Sequence, residues 1–167
     1  MKQLFLIRHG KSDWDHPGLS DHDRTLNDRG RRDAPRIAAA LAQRGVAPDA
    51  VLTSTAVRAA TTAAAVATGL GLPPDRVEPL PELYLAPPAT ILRVVQGMDE
   101  AAGTAMVFGH NPGMHEAVNG FDRAMGVDAF PTLAVARLEF AVDYWGEIEW
   151  GTGTLVELIL PRELAEA

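Results

Sequence analysis

Apolar positions follow two rhythms along this chain. Short apolar runs that end in turn residues alternate with longer stretches in which apolar residues recur every three or four positions. The first rhythm suits buried strands and the second suits helices with one face on a core. Residues 3–7 (QLFLI) read as a buried strand that stops at Gly10. Asn27 is a natural helix N-cap, and the helix it starts is predicted to run from about Asp28 to about Arg44 and to stop at Gly45. Pro35 falls inside that helix, so a kink or a late start is expected there. Residues 49–54 (DAVLTS) form a second strand, and an alanine-rich helix follows from about Ala56 to Gly69 and Gly71.

Residues 77–83 contain Pro79 and Pro81 and therefore read as an extended edge strand at best. A helix is predicted over 87–96, with proline in its first turn. Residues 104–108 (TAMVF) form another apolar strand, and a short helix is expected over 114–120. Two strands, 132–140 and 153–161, close the chain. This order predicts an α/β fold: a three-layer α/β/α sandwich around a mostly parallel sheet, with residues 1–167 as a single domain. The segment from Gly10 to Arg24 is long and rich in Asp, Gly, Ser and Pro. Loops of that length in compact domains are often functional.

Composition narrows the function classes. The chain has 47% hydrophobic and 22% charged residues, as soluble globular proteins do. It has no cysteine, which excludes disulfides, thiolate zinc sites and a cysteine nucleophile. The apolar run before Arg8 is too short for a signal-peptide core, and no stretch approaches a membrane span, so a cytoplasmic protein without a membrane partner is expected. A net charge of −7 argues against a nucleic-acid partner. Yet residues 1–36 hold eight Lys and Arg against six Asp and Glu, whereas residues 37–167 hold seven against sixteen. An acidic protein that gathers arginines in one region has a place for an anion there. Arg29, Arg31, Arg32 and Arg36 read instead as the hydrated face of the first helix.

Three strands end in the same way, with a polar group just beyond the last apolar residue. Arg8 and His9 follow the first strand, Arg58 follows the second, and His110 follows TAMVF. In open parallel sheets the crevice beyond the strands' carboxyl ends is where ligands bind. If the strands are neighbours, two arginines and two histidines converge there and repel one another unless an anion lies between them. A phosphoryl group fits the forked donors of arginine, and the helix N-termini near Ala56 and Asn111 add amide dipoles. Ser12 and Lys11 are placed at the rim, with Ser12 and Asn111 as further phosphate contacts. No metal is expected: His9 and His110 lack a third ligand, and the arginines disfavour a dication. His16, His22 and His115 read as bystanders, and Trp14 as an anchor that pins its loop to the core.

Taken together, LIRHGKS, LTSTAVRAATTA, PELYLA and VFGHNPG, in this order, resemble the histidine phosphatase superfamily with its phosphoglycerate-mutase-like fold. The likeness extends to SDWDHPGLSDHDRTLNDRGRRDA and to GTGTLVELILPREL, so it covers nearly the whole chain. Within the superfamily the SixA-like phosphohistidine phosphatase branch is the nearest in pattern. The resemblance implies a metal-independent hydrolase without cofactor in which His9 becomes a phosphohistidine. Arg8, Arg58 and His110 would hold the phosphoryl oxygens. Glu82, in PELY, is the positional candidate for general acid. Only 27 residues separate Glu82 from His110, and none of them resembles a lid. That favours phosphohistidine on a protein as substrate, with a small phosphorylated metabolite or nucleotide as the alternative. A catalytically silent phospho-binding module and a metallohydrolase remain competing classes.

Overall fold

The computed structural model describes residues 1–164. One six-stranded sheet carries the fold, in the order β3-β2-β4-β1-β5-β6. The strands are β1 (Lys2–Arg8), β2 (Ala50–Ser54), β3 (Val77–Leu80), β4 (Thr104–Gly109), β5 (Val135–Phe140) and β6 (Gly153–Ile159). The first four run parallel, and β5 and β6 are antiparallel additions beside β1. Four helices cover the two faces: α1 (Asp28–Gln43), α2 (Val57–Gly69), α3 (Pro88–Gln96) and α4 (Gly113–Phe121).

The alternation within β1 shows how the layers arise. Leu4 and Leu6 join the core under α3 and α4, while Phe5 and Ile7 join the core under α1 and α2. All four are fully buried, as expected of a central strand in a sheet covered on both faces. The predicted three-layer sandwich with a mostly parallel sheet is therefore what the chain forms.

Local differences have local causes. The segment 77–83 splits into the short edge strand β3 and a 3-10 turn at Pro81–Leu83, because Pro81 cannot donate to the ladder. Helix α1 runs through Pro35 without ending. Pro35 lies on the exposed face, where the carbonyl it leaves unbonded is open to water. Asn27 caps α1 as predicted, its side chain accepting from the Gly30 amide.

Register does the positioning. Arg8 pairs with Gly109, and Thr53 with Phe108, so β1, β2 and β4 end at one level of the sheet. The His9 amide donates to the Gly109 carbonyl at 3.1 Å and extends that alignment by one residue. On the other side of β1, the Leu133 amide donates to both the Arg8 and His9 carbonyls, at 3.0 and 3.1 Å. Leu133 adopts a left-handed backbone (φ 58°) to do so.

Candidate active site

His9 is oriented by its own backbone. Its Nδ1 lies 2.7 Å from the Gly10 carbonyl and donates to it, which leaves Nε2 as the unprotonated, accepting nitrogen. Gly10 is held in turn, since its amide donates to Thr62 Oγ1 and the Thr62 hydroxyl donates to the Arg58 carbonyl. A Cβ on Gly10 would press on Gly30, Leu26 and Leu133 at 3.2 Å, so the glycine is also a packing requirement. Beyond His9 Nε2 stands Arg58, with its Nε 3.4 Å away. The ring of His110 lies 5.1 Å from that of His9, centre to centre. Its Nδ1 faces Arg58 Nη2 at 3.4 Å, and its Nε2 donates to Ser54 Oγ at 2.8 Å.

The strand ends thus bring Arg8, His9, Arg58 and His110 together, as the sequence pattern implied. Arg58 and His110 are each 3% exposed and His9 7%. Burial is the main force on both imidazoles. It pushes His9 down to about 4, with Arg58, Arg8 and Arg24 adding to the shift against the opposing bond to Gly10. His110 is pushed down to about 3 by burial, then by His9 and Arg58. Both rings are neutral at physiological pH, so His9 Nε2 is available as a base or nucleophile. The Arg8 guanidinium, lowered by burial and by Arg58, donates to the Phe130 carbonyl at 3.3 Å. Among the described residues its Nε is buried without a hydrogen-bond partner.

Three further residues in the site were not singled out from the sequence. Arg24 is buried and donates through Nη1 to Ser12 Oγ. Asp21 accepts from Arg24, from Arg58 and from the Tyr84 hydroxyl. The Tyr84 bond, followed by those to Arg24 and Arg58, holds the Asp21 carboxyl far below its usual range. The Tyr84 phenol is shifted upward by the same contact. Tyr84 sets its ring edge-on to His110 at 5.5 Å and to His22 at 4.9 Å. His22, read as a bystander, therefore belongs to the rim, and its Nε2 lies 2.9 Å from Thr55 Oγ1. SDHDRTL and PELY both stood within the stretches that carry the family likeness, which is the signal that could have marked these residues.

Other candidates are placed differently. Ser12 is buried, and its hydroxyl supports Arg24 instead of facing the rim. Asn111 donates to the Phe130 carbonyl at 2.7 Å and accepts from the His115 amide, so its side chain braces a loop and the start of α4. Glu82 lines a groove with Leu52, Leu80 and Arg93, and no hydrogen bond or ion pair among the described residues links it to the histidines. Trp14 is 70% exposed, and the Arg24 guanidinium lies 3.6 Å from its ring centre. It covers Arg24 from outside instead of anchoring the loop in the core. His16 pairs with Asp13 at the surface, and His115 donates to the Val127 carbonyl, both away from the cluster. Among the described residues no three His, Cys, Asp or Glu side chains are grouped to hold a metal ion.

The chain is similar to known proteins over most of its length. Residues 4–87 match the histidine phosphatase superfamily (branch 1). An uncharacterized protein of Mycobacterium tuberculosis strain H37Rv is 34% identical, over 93% of this chain and all of its own length. Among solved structures, a protein histidine phosphatase SixA complexed with tungstate is 26% identical, with a TM-score of 0.81 over 96% of this chain and 97% of its own. A provisionally named phosphohistidine phosphatase SixA from Agrobacterium tumefaciens is 28% identical, with a TM-score of 0.79 over 96% and 98%.

Proposed function

This chain belongs to the histidine phosphatase superfamily, and we propose on that footing that it is a phosphatase that takes a phosphoryl group from phosphohistidine on a protein through a covalent intermediate on His9. His9 Nε2 attacks phosphorus and forms the new P–N bond as the substrate's P–N bond breaks. The electron pair of that bond goes to the departing nitrogen. Water then attacks the phosphorus of phospho-His9, the bonding pair returns to Nε2, and inorganic phosphate leaves. Arg8 and Arg58 supply the donors for the equatorial oxygens, where charge must be stabilised. His110 Nδ1 lies beside the same position and gains a proton more readily once a phosphate dianion is near it. This chemistry asks nothing of a metal ion.

One observation carries the choice of substrate: the carboxyl group bonded into the site, Asp21, is held ionised by Tyr84, Arg24 and Arg58. A carboxylate in that state has no proton to give. An alkoxide leaving from a phosphomonoester needs one at the departing oxygen. An imidazole can instead carry its proton on the nitrogen far from phosphorus, where solvent supplies it. The placement of α3 supports a large substrate, because the segment after Tyr84 packs beside α4 instead of arching over the histidines. The exposed Trp14, Leu19 and Leu85 belong to the two segments that frame the site.

The test is a brief incubation with labelled acetyl phosphate or a phosphohistidine peptide, followed by denaturation in alkali and separately in acid. An adduct that survives alkali, is lost in acid and is absent from His9→Ala is the expected result. Phosphate binding with no adduct and no turnover of any phospho-donor would favour a binding module. Loss of activity in EDTA would point to a metallohydrolase.

A further inference from the structure

The guanidinium of Arg58 has two donor edges, and the fold gives each a different task. The side-on edge, Nε with one hydrogen of Nη2, faces the histidines, 3.4 Å from His9 Nε2 and 3.4 Å from His110 Nδ1. The end-on edge closes on Asp21: Nη1 donates to its backbone carbonyl at 2.7 Å and Nη2 to its Oδ2 at 3.1 Å. Asp21 is fixed from its other sides. Arg24 donates to its Oδ1 through Nε at 3.2 Å and Nη2 at 3.0 Å, and the Tyr84 hydroxyl donates to Oδ2.

We propose that Asp21 is a positioning residue that acts through Arg58: by holding the end-on edge, it aims the side-on edge at the phosphoryl oxygens beside His9 Nε2. The identity of the anion rests on the phosphatase reading above. The geometry itself concerns any anion bound beside Arg58.

Two physical reasons favour a carboxylate at this point. A long arginine side chain has many rotamers, and one already locked loses little freedom when the anion arrives. Neutral acceptors would hold it more weakly than a charge-assisted pair does. Secondly, Arg8, Arg24 and Arg58 share one buried neighbourhood and repel one another until an anion is present. Asp21 sets one negative charge against two of them from behind, which offsets part of that repulsion and leaves the side facing His9 positive. Tyr84 adds a bond that keeps Oδ2 from rotating away, which gives this rim tyrosine a task besides its contact with His110.

A double-mutant cycle on phosphate affinity tests this, with inorganic phosphate as the probe in calorimetry. Arg58→Ala is expected to weaken phosphate binding by about tenfold or more when Asp21 is present, and by less than about threefold in an Asp21→Ala background. Equal losses in both backgrounds, or no loss from Arg58→Ala alone, would overturn the proposal. Tyr84→Phe, which removes only a hydroxyl at the rim, should show the same coupling to Arg58 at reduced size, and it serves if Asp21→Ala does not fold. Adduct formation on His9 from acetyl phosphate is measured on the same variants. Coupling without any adduct in the unmodified protein refutes the phosphatase reading and leaves Asp21 standing. An adduct without coupling does the reverse.

Discussion

His9 is kept neutral by its surroundings. Burial and three neighbouring guanidinium groups hold it down to about 4, so Nε2 keeps its lone pair where a free imidazole would already be half protonated. In a carbon-detected NMR titration, His9 and His110 should therefore stay neutral as the pH falls from 7 to about 5. Addition of phosphate should raise the apparent value of His110. A His9 midpoint near that of free imidazole would contradict this account. With no proton available for a departing alkoxide, acetyl phosphate and phosphohistidine should turn over at least about a hundredfold faster than phosphoserine. Glu82→Gln should change that ratio by less than about threefold, because its side chain lies in the groove beside Leu80 and Arg93. His9, Arg58 and His110 were legible in the sequence because each follows an apolar run at a strand end. Asp21, Arg24 and Tyr84 were not, because they sit on loops and 3-10 turns that have no period. Only the folded path of the chain brings residue 21 against residues 58 and 84.

The strands and helices were readable to within a few residues, since burial on both faces of the sheet leaves apolar runs that only a strand or helix can use. The exceptions lie where backbone chemistry competes with pattern: β5 starts three residues late, behind the left-handed Leu133 and the turn that clamps β1. Close approaches between elements are invisible in the sequence for a similar reason. At Gly30, in the first turn of α1, a Cβ would lie 2.5 Å from the Lys11 carbonyl oxygen. Helix α1 therefore sits directly on the loop that leaves His9. Gly30→Ala should cost about 1–3 kcal/mol in urea unfolding, as overpacking against backbone does. It should also reduce activity, because relief requires moving the Gly10–Lys11 segment. Unchanged stability and rate would mean that the loop yields freely. The substitution at Gly113 meets the Ala86 carbonyl in the same way, on the far side of the site.

The protein carries a net charge of −7 yet holds three arginines and two histidines around one small volume. The two neutral, buried imidazoles make its stability depend on pH. An unfolded chain binds protons at both histidines near the ordinary value of 6.5, while the folded chain waits until about 4 for His9 and about 3 for His110. The unfolded state thus binds more protons across that interval. Stability is complete above 6.5 and falls as the pH drops toward 4, by up to about 1.4 kcal/mol per pH unit for each histidine. Asp21 acts in a separate window, below its ordinary value of 3.8, where protonation removes the partner of Arg24 and Arg58. Urea midpoints at pH 7 and pH 5 should differ accordingly, and replacing His110 by asparagine should flatten the slope. An equal slope in that variant would assign the acid sensitivity elsewhere.

The three tryptophans occupy unlike surroundings. Trp145 is fully buried with its indole donating to the Ala102 carbonyl, Trp150 packs on Phe121, and Trp14 lies in the open across Arg24. Arg24 is bonded to Asp21, and Asp21 to Arg58, so an exposed indole is three contacts away from the guanidinium that faces His9 and His110. Trp14 should therefore report optically on the state of the site. Acrylamide should quench Trp14 selectively, and phosphate should shift the quenchable part of the emission alone. Trp14→Phe should leave a spectrum indifferent to phosphate, and a response that persists in that variant would belong to another indole. Occupancy of the site can then be followed in real time without a label, in the unmodified protein.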